Sequence, residues 1–181
     1  WKARTGLDIH ESYGMTESAA MVTYNHYYRH VVGSVGTPVD LVEVQIRDFE
    51  GTVLKRGEAG EICICGPNIT KGYLNNPAET KAAFWGNWFR SGDIGYFDED
   101  GYFFMRGRAK NIIVGPSGEN IYPEQIESMI NLHPYVADSL VFDNEGVLSA
   151  RVHLDYEKLD ELYGVKHKSE TKMHAKIDEL L

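Results

Sequence analysis

The stretch WFRSGDIGYFDEDGYFFMRGR, residues 88–108, decides how the chain folds. Apolar and aromatic side chains run in two short blocks, and between them stands Asp100-Gly101, a pair that favours the tight turn of a β-hairpin. Two strands follow, Ile94–Phe97 and Tyr102–Arg106. The acidic run Asp98-Glu99-Asp100 lacks the distant glutamate of a calcium loop and reads as part of the turn.

Working outward, the sequence on the N-terminal side is rich in turns and strands. Val42, Val44 and Ile46 alternate with Glu43, Gln45 and Arg47, the period of a half-buried strand. EICICG, residues 61–66, is the next strand, with Cys63 and Cys65 two apart and so on one face. That spacing and the lack of companion ligands predict unpaired thiols rather than a metal site or a disulfide. NPAETKAAFW, residues 76–85, takes helical character after Pro77, with Glu79 in its first turn.

On the C-terminal side the pattern changes. NIIVG is a short apolar strand and PSGEN a turn. PEQIESMINLH, residues 123–133, is a helix with Pro123 first, Glu124 and Glu127 near its positive end and Ile126, Met129 and Ile130 on one face. Pro134 stops it. Residues 137–155 are two strands joined at Asn144-Glu145-Gly146, and residues 155–181 look helical and charged. The class is α+β, with a boundary near 107–111 that divides it into residues 1–107 and 108–181.

The bulk numbers exclude several classes of function. With 181 residues, 43% hydrophobic and 25% charged, the composition is that of a globular chain. Eighteen basic against 27 acidic side chains give a net charge of −9, the wrong sign for a nucleic-acid partner. The basic cluster Lys166-His167-Lys168 reads as a solvated loop. No apolar run approaches the roughly 20 residues of a membrane helix, and no signal peptide is evident. A soluble cytoplasmic protein is expected, with peripheral membrane contact left open. His26 and His30, four apart, have no further ligands at metal spacing and read as surface or packing residues.

Three stretches ask for chemistry. In YGMTE, Tyr13 offers a ring, Thr16 a hydroxyl and Glu17 a carboxylate, a set able to meet a base, a phosphate and a hard cation; the same letters also fit a helix N-terminus capped by Thr16. In RSGDIG, the Asp93 carboxylate could accept two hydrogen bonds from adjacent sugar hydroxyls, or simply close a turn. The third, residues 107–127, sets Arg108 and Lys110 beside a bend and Gly118, Glu119 and Asn120 on a tight loop.

Taken in order, YGMTES (13–18), GEICICGPNITKGYLNNPAET (60–80), WFRSGDIGYFDEDGYFFMRGRAKN (88–111) and SGENIYPEQIE (117–127) resemble successive motifs of the AMP-forming adenylating superfamily. That superfamily comprises acyl-CoA synthetases, peptide-synthetase adenylation domains and luciferases. GENIYP leans toward the acyl-CoA ligases, and the whole tract is most similar to bacterial long-chain fatty-acid–CoA ligases.

The resemblance implies a β-rich, distorted-barrel end of a large N-terminal domain, followed by an incomplete, mobile α+β lid. It implies ATP and AMP, Mg²⁺ and coenzyme A as ligands or co-substrates, with a fatty acid as the second substrate. Tyr13 would lie against adenine, Thr16 would donate to the α-phosphate, Glu17 would hold Mg²⁺, and Asp93 with Arg108 would grip the ribose. Lys110 would be the hinge of the lid, a position many members fill with Asp, and Gly118 would let the pantetheine arm pass close to backbone.

WKARTG at one end and KIDELL at the other lead us to expect a piece of a longer protein, dependent on an absent N-terminal part. The family's phosphate loop and its C-terminal lysine have no counterpart here, and Lys172 and Lys176 come too early to replace the latter. The isolated chain is therefore expected to lack ligase activity. Two alternatives stand beside this reading: an adenylating domain that loads a carrier protein, and a non-catalytic interaction remnant of the scaffold.

Overall fold

The computed structural model describes residues 1–163. Its contacts group into two compact units. The first holds Trp1–Val114 and Gly118–Tyr122; the second holds Gly115–Ser117 and the residues from Pro123 onward. The first unit thus continues past Gly107, where the sequence pattern changes, because two further short strands pair within it.

The first unit opens with the single turn α1 (Lys2–Thr5). The short strands β1 (Ser12–Tyr13), β2 (Thr23–Tyr24) and β3 (Thr37–Pro38) form a small antiparallel sheet in that order. Next come β4 (Glu43–Arg47), β5 (Gly60–Cys65), the helix α2 (Pro77–Ala82), β6 (Phe84–Trp85), β7 (Trp88–Phe97) and β8 (Phe103–Arg108). These five strands make one antiparallel sheet, with β5 between β4 and β7. The far edge of β7 pairs with β6 at one end and β8 at the other. β9 (Ile113–Val114) and β10 (Asn120–Ile121) close the unit as a small antiparallel pair.

Local chemistry explains the elements. Asn76 caps α2 by accepting a hydrogen bond from the Glu79 N–H at 3.1 Å, and Pro77 begins the helix where no N–H is needed. The helix stops at Ala82, and Phe84-Trp85 turn back as a strand. The hairpin at 97–103 closes as expected: the Asp98 carboxylate accepts from the Tyr102 N–H at 2.7 Å, and Gly101 has φ 84°. The strand before it is longer than the sequence suggested, starting at Trp88 instead of Ile94. A polar RSGD segment with a left-handed glycine, Gly92, interrupts its apolar pattern without ending its pairing.

The core of this unit is Tyr13, Val22, Val42, Ile46, Ile62, Ile64 and Phe103, all buried. Val42 and Ile46 sit on the predicted inner face of β4. β5 is buried on both faces except at its last residue, so Glu61 and Cys63 are covered as fully as Ile62 and Ile64. Both thiols are free. Burial pushes the Cys63 thiol up to about 12 from its ordinary 9.0.

The second unit places α3 (Pro123–Ile130) against β11 (Val136–Asn144), which pairs with β12 (Val147–Leu154), before α4 (Tyr156–Tyr163). The hairpin turns at Glu145 (φ 53°) and Gly146 (φ 84°), the two left-handed residues a two-residue turn requires. Of the three apolar residues expected on one face of α3, Ile126 and Ile130 are half-buried, whereas Met129 is 73% exposed. The helix instead turns Glu127 toward β11, where its carboxylate accepts from the Val141 N–H at 2.8 Å and its carbonyl from the Ser139 hydroxyl. Asn131, just beyond the helix, accepts from the same hydroxyl at 2.8 Å. These polar contacts rotate the inward stripe away from Met129. The basic cluster 166–168 and the lysines Lys172 and Lys176 lie outside the described residues.

Candidate active site

The structure brings together three stretches that are far apart in sequence. Asp93 on β7 stands directly opposite Arg108 on β8. Its Oδ1 accepts from Arg108 Nε at 3.0 Å, and its Oδ2 accepts from the Tyr13 hydroxyl at 2.8 Å. Asp93 is 7% exposed, whereas the Arg108 side chain is 58% exposed. A carboxylate has about four lone-pair sites, so two protein donors leave it further accepting capacity.

Tyr13 does not present the open stacking face expected of it. It is 8% exposed, and its ring meets Phe103 edge-on with centroids 5.8 Å apart. Burial raises the pKa of the phenol, which keeps it protonated as a donor to Asp93.

Residues 16–18 form one turn of 3₁₀ helix. Met15, not Thr16, precedes the turn, and Ser18 closes it by donating to the Met15 carbonyl and accepting from the Met15 N–H. The N-cap alternative for Thr16 is therefore excluded; Thr16 is exposed on the turn's first position. The backbone then passes through two left-handed non-glycine residues, Ala19 (φ 49°) and Ala20 (φ 83°). Strain of that kind collects at functional loops.

Glu17 is half-buried, and its carboxylate accepts from the Tyr73 hydroxyl at 3.1 Å. The loop after β5 grips this turn elsewhere too. The Thr70 N–H donates to the Glu17 carbonyl at 2.7 Å, and the Asn68 amide donates to the carbonyls of Ser18 and Met21. An open groove of about 750 Å³ borders the same loop, lined by Cys65, Ile69, Thr70, Lys71, Thr80 and Phe84.

Lys110 is exposed on the short turn Ala109–Asn111 after β8. Gly118 lies between β9 and β10 at φ 83°, with nothing within 4 Å of where a Cβ would stand. Neither belongs to the cluster around Asp93.

Four residues that the sequence reading passed over support these groups. Tyr73, Asn68 and Thr70 hold the turn at Glu17, and Glu61 pairs with Arg90 behind Asp93. A charge at position 61 inside an apolar strand was a signal, since a buried carboxylate demands a partner. The His10 and His30 rings lie 4.6 Å apart in a tilted arrangement, but no cluster of three metal-ligating side chains occurs among the described residues.

Residues 1–74 match the family described as AMP-binding enzyme. Over those residues the chain belongs to the AMP-binding enzyme family. It is 41% identical over 140 residues to the oxalate–CoA ligase of Arabidopsis thaliana, covering 76% of this chain and 27% of that protein. It is 38% identical over 142 residues to the long-chain-fatty-acid–CoA ligase of Yersinia pestis, covering 78% and 25%. Among solved structures, the O-succinylbenzoate coenzyme A synthetase of Bacillus subtilis in complex with AMP matches with a TM-score of 0.76 and 31% identity, over 99% of this chain and 36% of that one. The same synthetase in complex with ATP and magnesium matches with a TM-score of 0.75 and 33% identity, over 85% and 33%. The chain spans about a quarter of the length of these curated relatives. The described residues are α+β, with a curled, β-rich sheet in the first unit, and match those solved structures in fold.

Proposed function

We propose that the protein carrying this chain is an AMP-forming acid–thiol ligase. In the first half-reaction a substrate carboxylate oxygen bonds to the α-phosphorus of ATP as the bond to pyrophosphate breaks. In the second, the sulfur of coenzyme A attacks the acyl carbon and AMP leaves. The observation that carries this reading is the buried Asp93 carboxylate held between Tyr13 and Arg108, in a family whose members include an AMP complex and an ATP–magnesium complex.

In this reading Asp93 accepts hydrogen bonds from the ribose hydroxyls and Arg108 adds a donor beside it. Tyr13 orients Asp93 through its hydroxyl and lies against adenine with its ring. Thr16, exposed at the start of its turn, donates to the α-phosphate. Glu17 fits one ligand position of a Mg²⁺ ion: a half-buried carboxylate fixed by Tyr73, with phosphate oxygens and water as the remaining hard donors. Such an ion neutralises charge on the phosphates when bound. Lys110 serves as the hinge of a lid, and Gly118 gives the pantetheine arm room near backbone.

For the acid we propose a long-chain fatty acid, supported by the resemblance of the whole motif tract and by the Yersinia relative. Coenzyme A is the acceptor in preference to a carrier protein, in a cytoplasmic setting. The test is ATP–pyrophosphate exchange by the whole protein with oxalate, 2-succinylbenzoate and fatty acids of graded length. Thioester formation is then measured with coenzyme A against a pantetheinylated carrier. Exchange that no carboxylic acid stimulates overturns the ligase reading; stimulation by a short or aromatic acid alone overturns the fatty-acid proposal.

A further inference from the structure

We propose that Glu61 is a positioning residue for Asp93, acting through the backbone of β7; this rests on the nucleotide reading of Asp93 above. Glu61 is 3% exposed in the middle of the five-stranded sheet. Its Oε2 accepts from Arg90 Nη2 at 2.8 Å and Nε at 3.1 Å, and its Oε1 accepts from the Gly92 N–H at 3.2 Å. Every one of these bonds ends in the three residues just before Asp93.

The strand register explains why a carboxylate is placed there. Along the β5–β7 ladder, Cys63 pairs with Arg90 and Glu61 pairs with Ile94. Ser91, Gly92 and Asp93 therefore stand opposite Ile62 alone. Such a bulge frees backbone groups from the ladder and re-aims the side chains it carries. A buried N–H without a ladder partner needs another acceptor, and Glu61 supplies it to Gly92. Gly92 is left-handed at φ 71°, although a Cβ there would meet nothing within 4 Å, so conformation, not space, calls for glycine. Ser91 Oγ accepts from the Asp93 N–H at 3.0 Å, which completes the turn of chain that aims the Asp93 carboxylate at Tyr13 and Arg108.

Arg90 is fixed in its turn. Its guanidinium lies over the Trp85 ring at 4.1 Å. A leucine at 61 could fill much of the same volume, but it would leave Arg90 without its carboxylate partner, which by itself costs stability. It could not accept from the bulged N–H. The distinction gives the role a signature: loss of Glu61 should weaken recognition of the ribose hydroxyls specifically.

The experiment uses the whole protein and compares ATP with 2′,3′-dideoxy-ATP, by dissociation constant and by KM in pyrophosphate exchange. Glu61→Leu removes the acceptor, Glu61→Gln keeps one, and Gly92→Ala strains the bulge without touching position 61. Glu61→Leu and Gly92→Ala are expected to weaken ATP binding about tenfold, the size of one charge-assisted hydrogen bond, and dideoxy-ATP binding less than about twofold. Glu61→Gln is expected to stay within about threefold of the parent for both nucleotides. Should the Leu variant not fold, the Gly92→Ala ratio decides alone. Equal losses for both nucleotides, or none for ATP, overturn the proposal. Asp93→Ala, which leaves no side-chain acceptor, separates the two layers: if it fails to erase the preference for ATP over dideoxy-ATP, the nucleotide reading falls as well. If it does erase the preference while the Glu61 and Gly92 variants do not, only the positioning role falls.

Discussion

Asp93 and Arg108 face each other across the β7–β8 ladder, and the carboxylate is buried while more than half of the arginine side chain is exposed. The asymmetry separates their expected weights. Asp93→Ala removes a buried acceptor and should lower kcat/KM for adenylate formation about 10- to 100-fold, the range of roughly 1.5–3 kcal/mol for hydrogen bonds to charged groups. Arg108→Ala, at an exposed position worth about 0–1 kcal/mol, should cost about fivefold or less. Pyrophosphate exchange in the whole protein checks both; a larger loss from Arg108→Ala would reverse the assignment.

Cys63 makes stability sensitive to alkali. The unfolded thiol ionises near 9.0, whereas the folded one keeps its proton up to about 12. Between those values the folded state binds more protons than the unfolded state, so stability falls as pH rises. The contribution is complete below pH 9 and lost as pH climbs through about 12. Urea titrations from pH 8 to 11 should show this decline, and Cys63→Ala should flatten it. An unchanged slope in the variant would mean that the buried Tyr13 phenol, shifted in the same direction, carries the effect.

Ala20 stands at φ 83°, where an L-residue is strained by about 1–2 kcal/mol. Ala20→Gly relieves that strain and costs about 0.4–1 kcal/mol of chain entropy, so the net change should be a gain of up to about 1.5 kcal/mol. Chemical denaturation tests this. A loss of stability would show that the surrounding turn already absorbs the strain.

Gly118→Trp should divide the two half-reactions. The site is open and lies apart from the Asp93 cluster, so adenylate formation should stay within about threefold, while thioester formation with coenzyme A should fall by about 100-fold, as for a misplaced reacting group. Single-turnover assays of each step measure the ratio, and an equal loss in both would remove the pantetheine path from Gly118.

Local patterns made much of the fold legible. Alternation over residues 42–47 placed Val42 and Ile46 in the core, Asp100-Gly101 closed its hairpin, and Pro77 and Pro123 opened their helices. These features depend on neighbours within a few residues, so spacing alone reports them. The β7 start at Trp88 was hidden because its RSGD segment is polar and left-handed at Gly92, and the exposure of Met129 because its helix face was chosen by Glu127 and β11. The order of the motifs marked Tyr13, Thr16, Glu17, Asp93 and Arg108, but not what each one touches.

By itself the sequence determined the α+β class, the principal turns, a net negative charge and the family resemblance, since composition, period and ordered motifs need no third dimension. Only the tertiary structure decided that the Tyr13 ring goes into the core and its hydroxyl to Asp93, that Tyr73 reaches Glu17, and that Glu61 fills the bulge behind Asp93. Those contacts join residues tens of positions apart, and a buried polar group finds its partner through strand register, which no local pattern encodes.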